Sequence, residues 1–151
     1  MTSWGIGPKF LVISLVIAVI VIVANAYFFP TLILGYNPIV FSCGVALVLL
    51  GATVGVAAAV QVHRAFSEGK LVTTGIYAHV RNPVYAAWIL FIAPGLVLAT
   101  GFLLLAVMPF VMYAAIRVLI VEEDRYLEQK FGREYSDYKK RVNSIIPKLT
   151  S

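Results

Sequence analysis

The sequence predicts an all-α, polytopic membrane helix bundle with about four transmembrane helices, a C-terminal helical hairpin and short cytoplasmic helices. Hydrophobic residues make up 61% of the 151 residues and charged residues 13%, whereas a soluble domain carries about 25% charged residues. No Lys, Arg, Asp or Glu occurs between Lys9 and Arg64. Since one bilayer crossing takes ~20 apolar residues, this stretch is long enough to cross a membrane twice. We therefore expect one integral membrane domain over residues 1–151.

The first two spans are predicted from apolar runs on either side of a turn. The first covers about residues 10–29 and stops at Pro30, and the uncharged segment 30–38 is predicted to be the turn. The second covers about residues 39–62, where polar residues mark its end. Lys9 and Ala24-Asn25-Ala26 resemble a signal peptide with a cleavage site, but the apolar run continues to Phe29, which favours an uncleaved anchor.

The last two spans are predicted to form a tight antiparallel hairpin. The third covers about residues 83–99, and Pro83 suits the first turn of a helix. Thr100-Gly101 then turns the chain into a fourth span that ends near Val121. Pro94 and Pro109 lie inside these spans, where neighbouring helices can satisfy the backbone groups that a proline leaves free.

The tail that follows Val121 is predicted to be amphipathic. Apolar and aromatic residues recur there at spacings of three and four, which is typical of one face of a helix; they are Leu127, Phe131, Tyr135, Tyr138 and Val142. Gly132 predicts a break, and therefore two short helices rather than one. We expect this face either to lie on the membrane surface or to fold back under the bundle.

The basic residues predict the orientation. All twelve Lys and Arg lie at Lys9, in the 63–83 loop or in the tail from Arg117 onward, so the positive-inside rule places both termini and the middle loop in the cytoplasm. Residues 139–141 and Lys148 would favour anionic lipid headgroups. The sequence pI of about 9.5 therefore indicates a membrane partner and not a nucleic acid.

Several kinds of site are absent from the sequence pattern. Cys43 is the single cysteine and is expected to pack as a small apolar residue in the second span. His63 and His79 are the two histidines, and no spacing typical of a metal site occurs, so no metal is expected. No phosphate-binding glycine loop and no nucleophile with an evident base is found. An enzyme of this sequence must therefore use chemistry that needs little from side chains.

Two polar clusters interrupt the apolar pattern. Residues 75–85, Gly-Ile-Tyr-Ala-His-Val-Arg-Asn-Pro-Val-Tyr, combine a glycine, aromatic residues, Arg81 and a proline between two spans. Glu122-Glu123-Asp124 follow the last apolar run. Because charged residues at the mouths of membrane helices mark binding sites, we expect a ligand between these clusters.

The motifs of the second half of the chain resemble the isoprenylcysteine carboxyl methyltransferase family, which is related to the phospholipid N-methyltransferases. The resemblance covers about residues 70–147 and rests on the order of segments 70–77, 81–85, 122–123, 131–135 and 138–142. It implies that S-adenosylmethionine is the methyl donor, bound at the cytoplasmic face between the hairpin and the tail. It also implies that a lipophilic small-molecule substrate arrives from the bilayer.

Carried over to this sequence, the resemblance assigns the candidate site. The implied cofactor contacts, together with the residues that we add from their chemistry, are Lys70, Leu71, Val72, Tyr77, Arg81, Asn82, Tyr85 and Glu122. Glu123 and Arg117 are the candidate catalytic residues. Two positions depart from the family: Asn82 stands where the isoprenylcysteine branch usually has His, and Leu119 stands where the eukaryotic branch has an Arg that contacts the substrate carboxylate. We therefore expect farnesylcysteine derivatives to be poor acceptors.

The chemistry of the donor fits these residues. Methyl transfer from a sulfonium is an in-line displacement, in which the protein mainly aligns two reactants and excludes water. Arg81 and the backbone N–H groups near Gly75 can bind the carboxylate of the donor. Glu122 or Glu123 can bind its ammonium or ribose hydroxyls, and tyrosines can line the adenine.

Other interpretations stay open at this point. A membrane reductase that uses NADPH would share the final hairpin and the Tyr-rich tail. A small membrane protein without catalytic activity would share the composition. Arg81 could also be an interfacial anchor, the paired Glu residues could begin a tail helix, and the tyrosines could belong to an aromatic belt.

Overall fold

The computed structural model describes residues 7–29 and 33–147, and most of them are helical. Four helices are long and apolar enough to cross a membrane, which confirms the predicted all-α bundle of four spans. We label them α1 (Gly7–Phe28), α2 (Pro38–Ser67), α3 (Pro83–Thr100) and α4 (Leu103–Phe131), and a short helix, α5 (Arg133–Arg141), follows. Pro30 and Lys148 lie outside the described residues.

Small residues bring α2 and α3 together. Gly44, Gly51 and Ala58 repeat every seven residues and are buried on one face of α2. At Gly44 the two backbones are so close that an added Cβ would lie 2.5 Å from the Ala99 nitrogen and 2.7 Å from the Gly95 oxygen. Membrane helices pack closely through such small residues, because the bilayer offers no hydrophobic driving force between helices.

The larger apolar core lies between α1, α3 and α4. Phe10 of α1 is buried there with Ile89 of α3 and with Met112 and Ile116 of α4. Ile145, which follows α5, is buried in the same cluster. The C-terminal segment therefore folds back onto the bundle, which is one of the two arrangements expected for the tail.

The two predicted outer turns meet at one end of the bundle. Leu34 N–H donates to the Gly101 oxygen at 2.8 Å, beside a bridge between Ile33 and Phe102. Gly101 has a φ of +74°, a left-handed conformation that ends α3 and that other residues rarely adopt. Residues 68–82 and α5 lie at the opposite end, where the polar clusters gather.

Both internal prolines lie where a helix departs from regular α geometry. Trp88–Ile92 of α3 form a π-helical turn, in which Ala93 N–H donates to the Trp88 oxygen, directly before Pro94. In α4 a 3₁₀ turn over Leu103–Val107 precedes Pro109, which then lies in the first α-helical turn. A proline cannot donate a backbone hydrogen bond, and these irregular turns accommodate its missing N–H.

Two helix ends lie further along the chain than the apolar runs predicted. Helix α2 ends at Ser67, five residues after the expected end, and α4 continues ten residues past Val121. No glycine or proline interrupts either continuation, so the helices extend beyond their apolar parts. Glu122-Glu123-Asp124 therefore lie inside α4. The predicted break at Gly132 is present, and of the two expected tail helices the first is the end of α4 and the second is α5.

Candidate active site

A cavity of about 270 Å³ lies among α1, α2, α4, α5 and the segment 70–85. We call it the interface cavity. Eight of the ten predicted site residues line it: Lys70, Leu71, Val72, Tyr77, Arg81, Asn82, Tyr85 and Glu123. Residues more than fifty positions apart in the sequence are thus brought to one place, since α4 returns the acidic cluster to the loop that precedes α3.

The structure does not bring the remaining two predicted residues to the cavity. The Glu122 carboxylate lies 3.0 Å from Lys9 Nζ, and both side chains are more than half exposed. Arg117 is exposed on α4 and is absent from the cavity lining. Leu119, the position at which the resemblance implies a departure from the eukaryotic branch, packs against the larger apolar core.

Arg81 belongs to a partly buried network of charges beside the cavity. Its Nη1 donates to Asp124 Oδ1 at 3.0 Å and to the Tyr135 hydroxyl oxygen at 2.9 Å, and the Tyr135 hydroxyl donates to Asp124. Lys139 Nζ lies 2.8 Å from Asp124 Oδ2 and 3.0 Å from Glu128 Oε1. The hydrogen bond to Asp124 raises the pKa of Lys139. Two cations and two anions therefore compensate one another here.

Two buried polar atoms of the cavity-lining residues have no hydrogen-bond partner. They are Arg81 Nε, a donor, and Glu123 Oε2, an acceptor. The Arg81 side chain is 9% exposed, and Glu123 lines the cavity beside Tyr85. Because buried polar groups are nearly always paired, an unpaired donor and an unpaired acceptor on two residues that line one cavity make them candidates for contact with a polar ligand or water.

The buried tyrosines of the cavity act as hydrogen-bonding groups. Tyr77 donates its hydroxyl to the Ala58 oxygen of α2 at 3.2 Å, and Tyr138 donates to the Tyr77 oxygen at 2.6 Å. Burial raises the pKa of Tyr77 and of Tyr135, and it raises the pKa of Tyr138 to about 12. All three hydroxyls therefore stay protonated near neutral pH, and they position the loop and α5 rather than accept protons.

Asn82 connects the loop to the C-terminal segment. Its backbone N–H donates to the Ser144 oxygen at 3.0 Å and its side-chain Nδ2 to Ser144 Oγ at 3.2 Å, while Arg81 N–H donates to the Asn143 oxygen at 2.9 Å. Lys70 is different, because its side chain is 73% exposed and pairs with Glu68 at 2.8 Å. Asn82 thus lies in a fixed position, whereas Lys70 lies at the open side of the cavity.

Sequence reasoning missed a large part of the lining. The additional residues are Gly7, Phe10, Leu11, Ala59, Val62, His63, Val84, Trp88, Leu127, Tyr135 and Tyr138. The tail residues among them were on the predicted amphipathic face, which was a usable signal. The apolar residues of α1 and α2 gave none, because an apolar side chain that lines a cavity cannot be told from one that faces lipid. His63 of α2 was considered only as a metal ligand. Among the described residues, no three His, Cys, Asp or Glu are grouped to hold a metal ion.

Comparison with known proteins gives one family. The model of the phospholipid methyltransferase family matches residues 30–134, which is more than half of the chain. The protein-S-isoprenylcysteine O-methyltransferase B of Arabidopsis thaliana is 26% identical over 148 residues, which cover 92% of this chain and 74% of that protein. The Schizosaccharomyces pombe protein-S-isoprenylcysteine O-methyltransferase is 29% identical over 83% of this chain and 57% of its own length.

One relative matches over a shorter segment but with higher sequence identity. The protein-S-isoprenylcysteine O-methyltransferase of Dictyostelium discoideum is 35% identical over 77 residues, or 51% of this chain and 32% of that protein. The chain thus spans a little over half of the Schizosaccharomyces pombe protein and about a third of the Dictyostelium one. With four apolar helices that could cross a membrane and a family match over most of its length, the chain belongs to the phospholipid methyltransferase family, as an integral membrane methyltransferase related to the isoprenylcysteine carboxyl methyltransferases.

Proposed function

We propose that this protein transfers a methyl group from S-adenosylmethionine to an amphiphilic acceptor at the cytoplasmic face of the membrane. The observation that carries the proposal is a pair of unpartnered buried atoms, Arg81 Nε and Glu123 Oε2, on two residues that line the interface cavity. The amino-acid part of S-adenosylmethionine has a carboxylate, which needs a donor, and an ammonium, which needs an acceptor. One unpaired donor and one unpaired acceptor on residues that line the same cavity match this zwitterion.

The remaining lining residues suit the other parts of the donor. Tyr77 and Tyr85 are buried aromatic residues that can line the adenine, and Leu71 and Val72 add an apolar surface beside them. When bound, S-adenosylmethionine supplies a methyl group on a sulfonium, which leaves as a neutral thioether. The chain's own residues align the reactants and keep water out, which is what this displacement requires.

The apolar side of the cavity suits an acceptor with a lipid tail. Phe10 and Leu11 of α1 and Trp88 of α3 line the cavity, and Leu11 is 47% exposed on the surface of the membrane helices. A lipid tail in the bilayer could reach the cavity beside this residue. Its polar end would then lie near Arg81 and Glu123.

The acceptor atom determines whether the site needs a base. A carboxylate or thiolate acceptor loses no proton during methylation, whereas an ammonium acceptor must lose one first. In this proposal Glu123 Oε2 is buried, unpartnered and reserved for the ammonium of the donor, so an amine acceptor would need another base. The names of the relatives support an isoprenylcysteine carboxylate, whereas Leu119 leaves the chain without the family's carboxylate-binding Arg.

Equilibrium binding in detergent tests the cofactor. The purified protein should bind S-adenosylmethionine and should not bind NADPH. Binding of NADPH alone would support the reductase interpretation instead, and binding of neither would support a membrane protein without this activity. Isothermal titration of both ligands against one protein preparation provides the comparison.

A further inference from the structure

We propose that Asp124 is a positioning residue, which fixes the Arg81 guanidinium and helix α5 at the interface cavity without touching the ligand. Asp124 is buried, with 8% of its surface exposed, and it does not line the cavity. The inference rests on the proposed function, because the group that Asp124 positions is the proposed carboxylate donor.

Asp124 joins three separate parts of the chain. It lies on α4, and its Oδ1 accepts from Arg81 Nη1, which belongs to the loop before α3. The same oxygen accepts from the Tyr135 hydroxyl of α5, and Oδ2 pairs with Lys139 one turn further along α5. Both carboxylate oxygens are thus used within the protein, which leaves none for a ligand.

Helix geometry gives Asp124 and its neighbour different surroundings. Successive residues of an α-helix point about 100° apart. Glu123 therefore faces the cavity, while Asp124 faces the loop and α5. One turn of α4 therefore supplies two carboxylates: Glu123 as the acceptor for the ligand and Asp124 as the partner that holds Arg81.

The planar guanidinium transmits the effect of Asp124. Its N–H donors have fixed directions relative to one another, so the bonds from Nη1 to Asp124 and Tyr135 also set the direction of Nε. Arg81 Nε is buried and has no partner. Asp124 therefore sets the direction of the Arg81 Nε–H group, which is the donor that the ligand would use. The negative charge of Asp124 also compensates the positive charge of Arg81 in the absence of a ligand.

A measurement that needs no ligand tests the positioning directly. The Nε–H resonance of Arg81 can be observed in protein labelled with ¹⁵N-arginine and assigned with Arg81→Lys. In the wild-type protein the proton should exchange slowly with water, and Asp124→Asn should speed the exchange about tenfold or more, because the guanidinium is released. Asp137→Asn is the matched control, since Asp137 is an exposed carboxylate of α5 that pairs with Lys140 at 3.4 Å.

Binding of S-adenosylmethionine gives the second readout. Asp124→Asn should weaken binding about tenfold, the scale of a lost hydrogen bond to a charged group. The double variant with Arg81→Ala should bind no more than about twofold more weakly than Arg81→Ala alone, because Asp124 acts through Arg81. Losses that add in the double variant would show a separate structural role and would overturn the proposal.

The two readouts separate this inference from the proposed function. If the wild-type protein fails to bind S-adenosylmethionine, the proposed function fails, whereas the exchange rate still decides whether Asp124 holds Arg81. An unchanged exchange rate in a folded Asp124→Asn protein overturns the positioning. Should that variant not fold, Asp124→Glu keeps the charge but displaces the carboxylate from Arg81 Nη1 by one methylene group, and it should speed exchange about threefold; no change there would also overturn the positioning.

Discussion

Glu122 and Glu123 are neighbours on α4, yet they have different surroundings. The Glu122 carboxylate pairs with Lys9 at 3.0 Å and is exposed. Glu123 lines the interface cavity, and its Oε2 is buried and unpartnered. Helix rotation alone separates the two, because one residue turns the side chain by about 100°.

This difference predicts unequal effects of one substitution. Glu123→Gln should weaken S-adenosylmethionine binding by roughly 1.5–3 kcal/mol, because it removes the charge that pairs with the ammonium. Glu122→Gln loses an exposed ion pair, which is worth about 0–1 kcal/mol to stability, and should leave binding nearly unchanged. Titration of both folded variants measures the difference. Equal losses, or a larger loss at Glu122, would contradict the assignment.

Arg81→Ala should also weaken cofactor binding by roughly 1.5–3 kcal/mol, because Nε is the proposed donor to the carboxylate. Arg64→Ala is the control: Arg64 is an exposed arginine of the same end of the bundle, and it does not line the interface cavity. Both proteins should be checked for a native melting temperature before titration. Unchanged affinity in a folded Arg81→Ala protein would make Arg81 an interfacial anchor.

Gly44→Ala should destabilise the bundle by about 1–3 kcal/mol, the cost of overpacking. The added Cβ would lie 2.5 Å and 2.7 Å from backbone atoms of α3, which cannot rotate away. Gly55→Ala is the matched control, since its Cβ would meet Ala87 Cβ at 3.7 Å, an ordinary contact. That variant should be neutral or slightly stabilising, because alanine favours a helix over glycine. Thermal unfolding in detergent compares them, and equal stability would refute the close approach of α2 and α3.

The predicted orientation is tested by cysteine labelling in a Cys43→Ser background. Tyr36 is 82% exposed at one end of the bundle, and Lys70 is exposed at the other. A membrane-impermeant thiol reagent applied from outside should modify Tyr36→Cys and spare Lys70→Cys, since the positive-inside rule places residue 70 in the cytoplasm. Labelling of Lys70→Cys but not of Tyr36→Cys would show the opposite orientation, with the proposed cofactor site on the outer face of the membrane.

An acceptor panel tests the substrate. Leu119 packs against the apolar core and Arg117 does not line the cavity, so neither residue supplies the cavity with the carboxylate-binding Arg that the resemblance implies for the eukaryotic branch. Farnesylcysteine derivatives should therefore be poorer acceptors than another amphiphile. Labelled S-adenosylmethionine with prenylcysteines, phosphatidylethanolamine and hydrophobic thiols provides the measurement. If farnesylcysteine is the best acceptor, another cation of the cavity must replace the missing Arg.

Most of the architecture could be predicted because membrane composition is a strong constraint. A continuous apolar run of ~20 residues is long enough to cross the bilayer as a helix, which pairs every backbone group within its own segment. Pro83 and Gly132 also predicted a helix start and a helix break, which are present. The C-terminal ends of α2 and α4 could not be predicted from the apolar runs, because each helix continues beyond its apolar part where no glycine or proline interrupts it.

The sequence by itself determined the number of spans, the tail face and the residues with the chemistry to bind a charged ligand. The tertiary structure decided which of them meet. In the folded chain Glu123 lines the cavity, whereas Glu122 pairs with Lys9. Arg81 pairs with Asp124, which lies 43 residues further along the chain. Such choices depend on the rotation of α4 against the loop and α5. That rotation is set by side-chain packing between distant segments, and no local pattern records it.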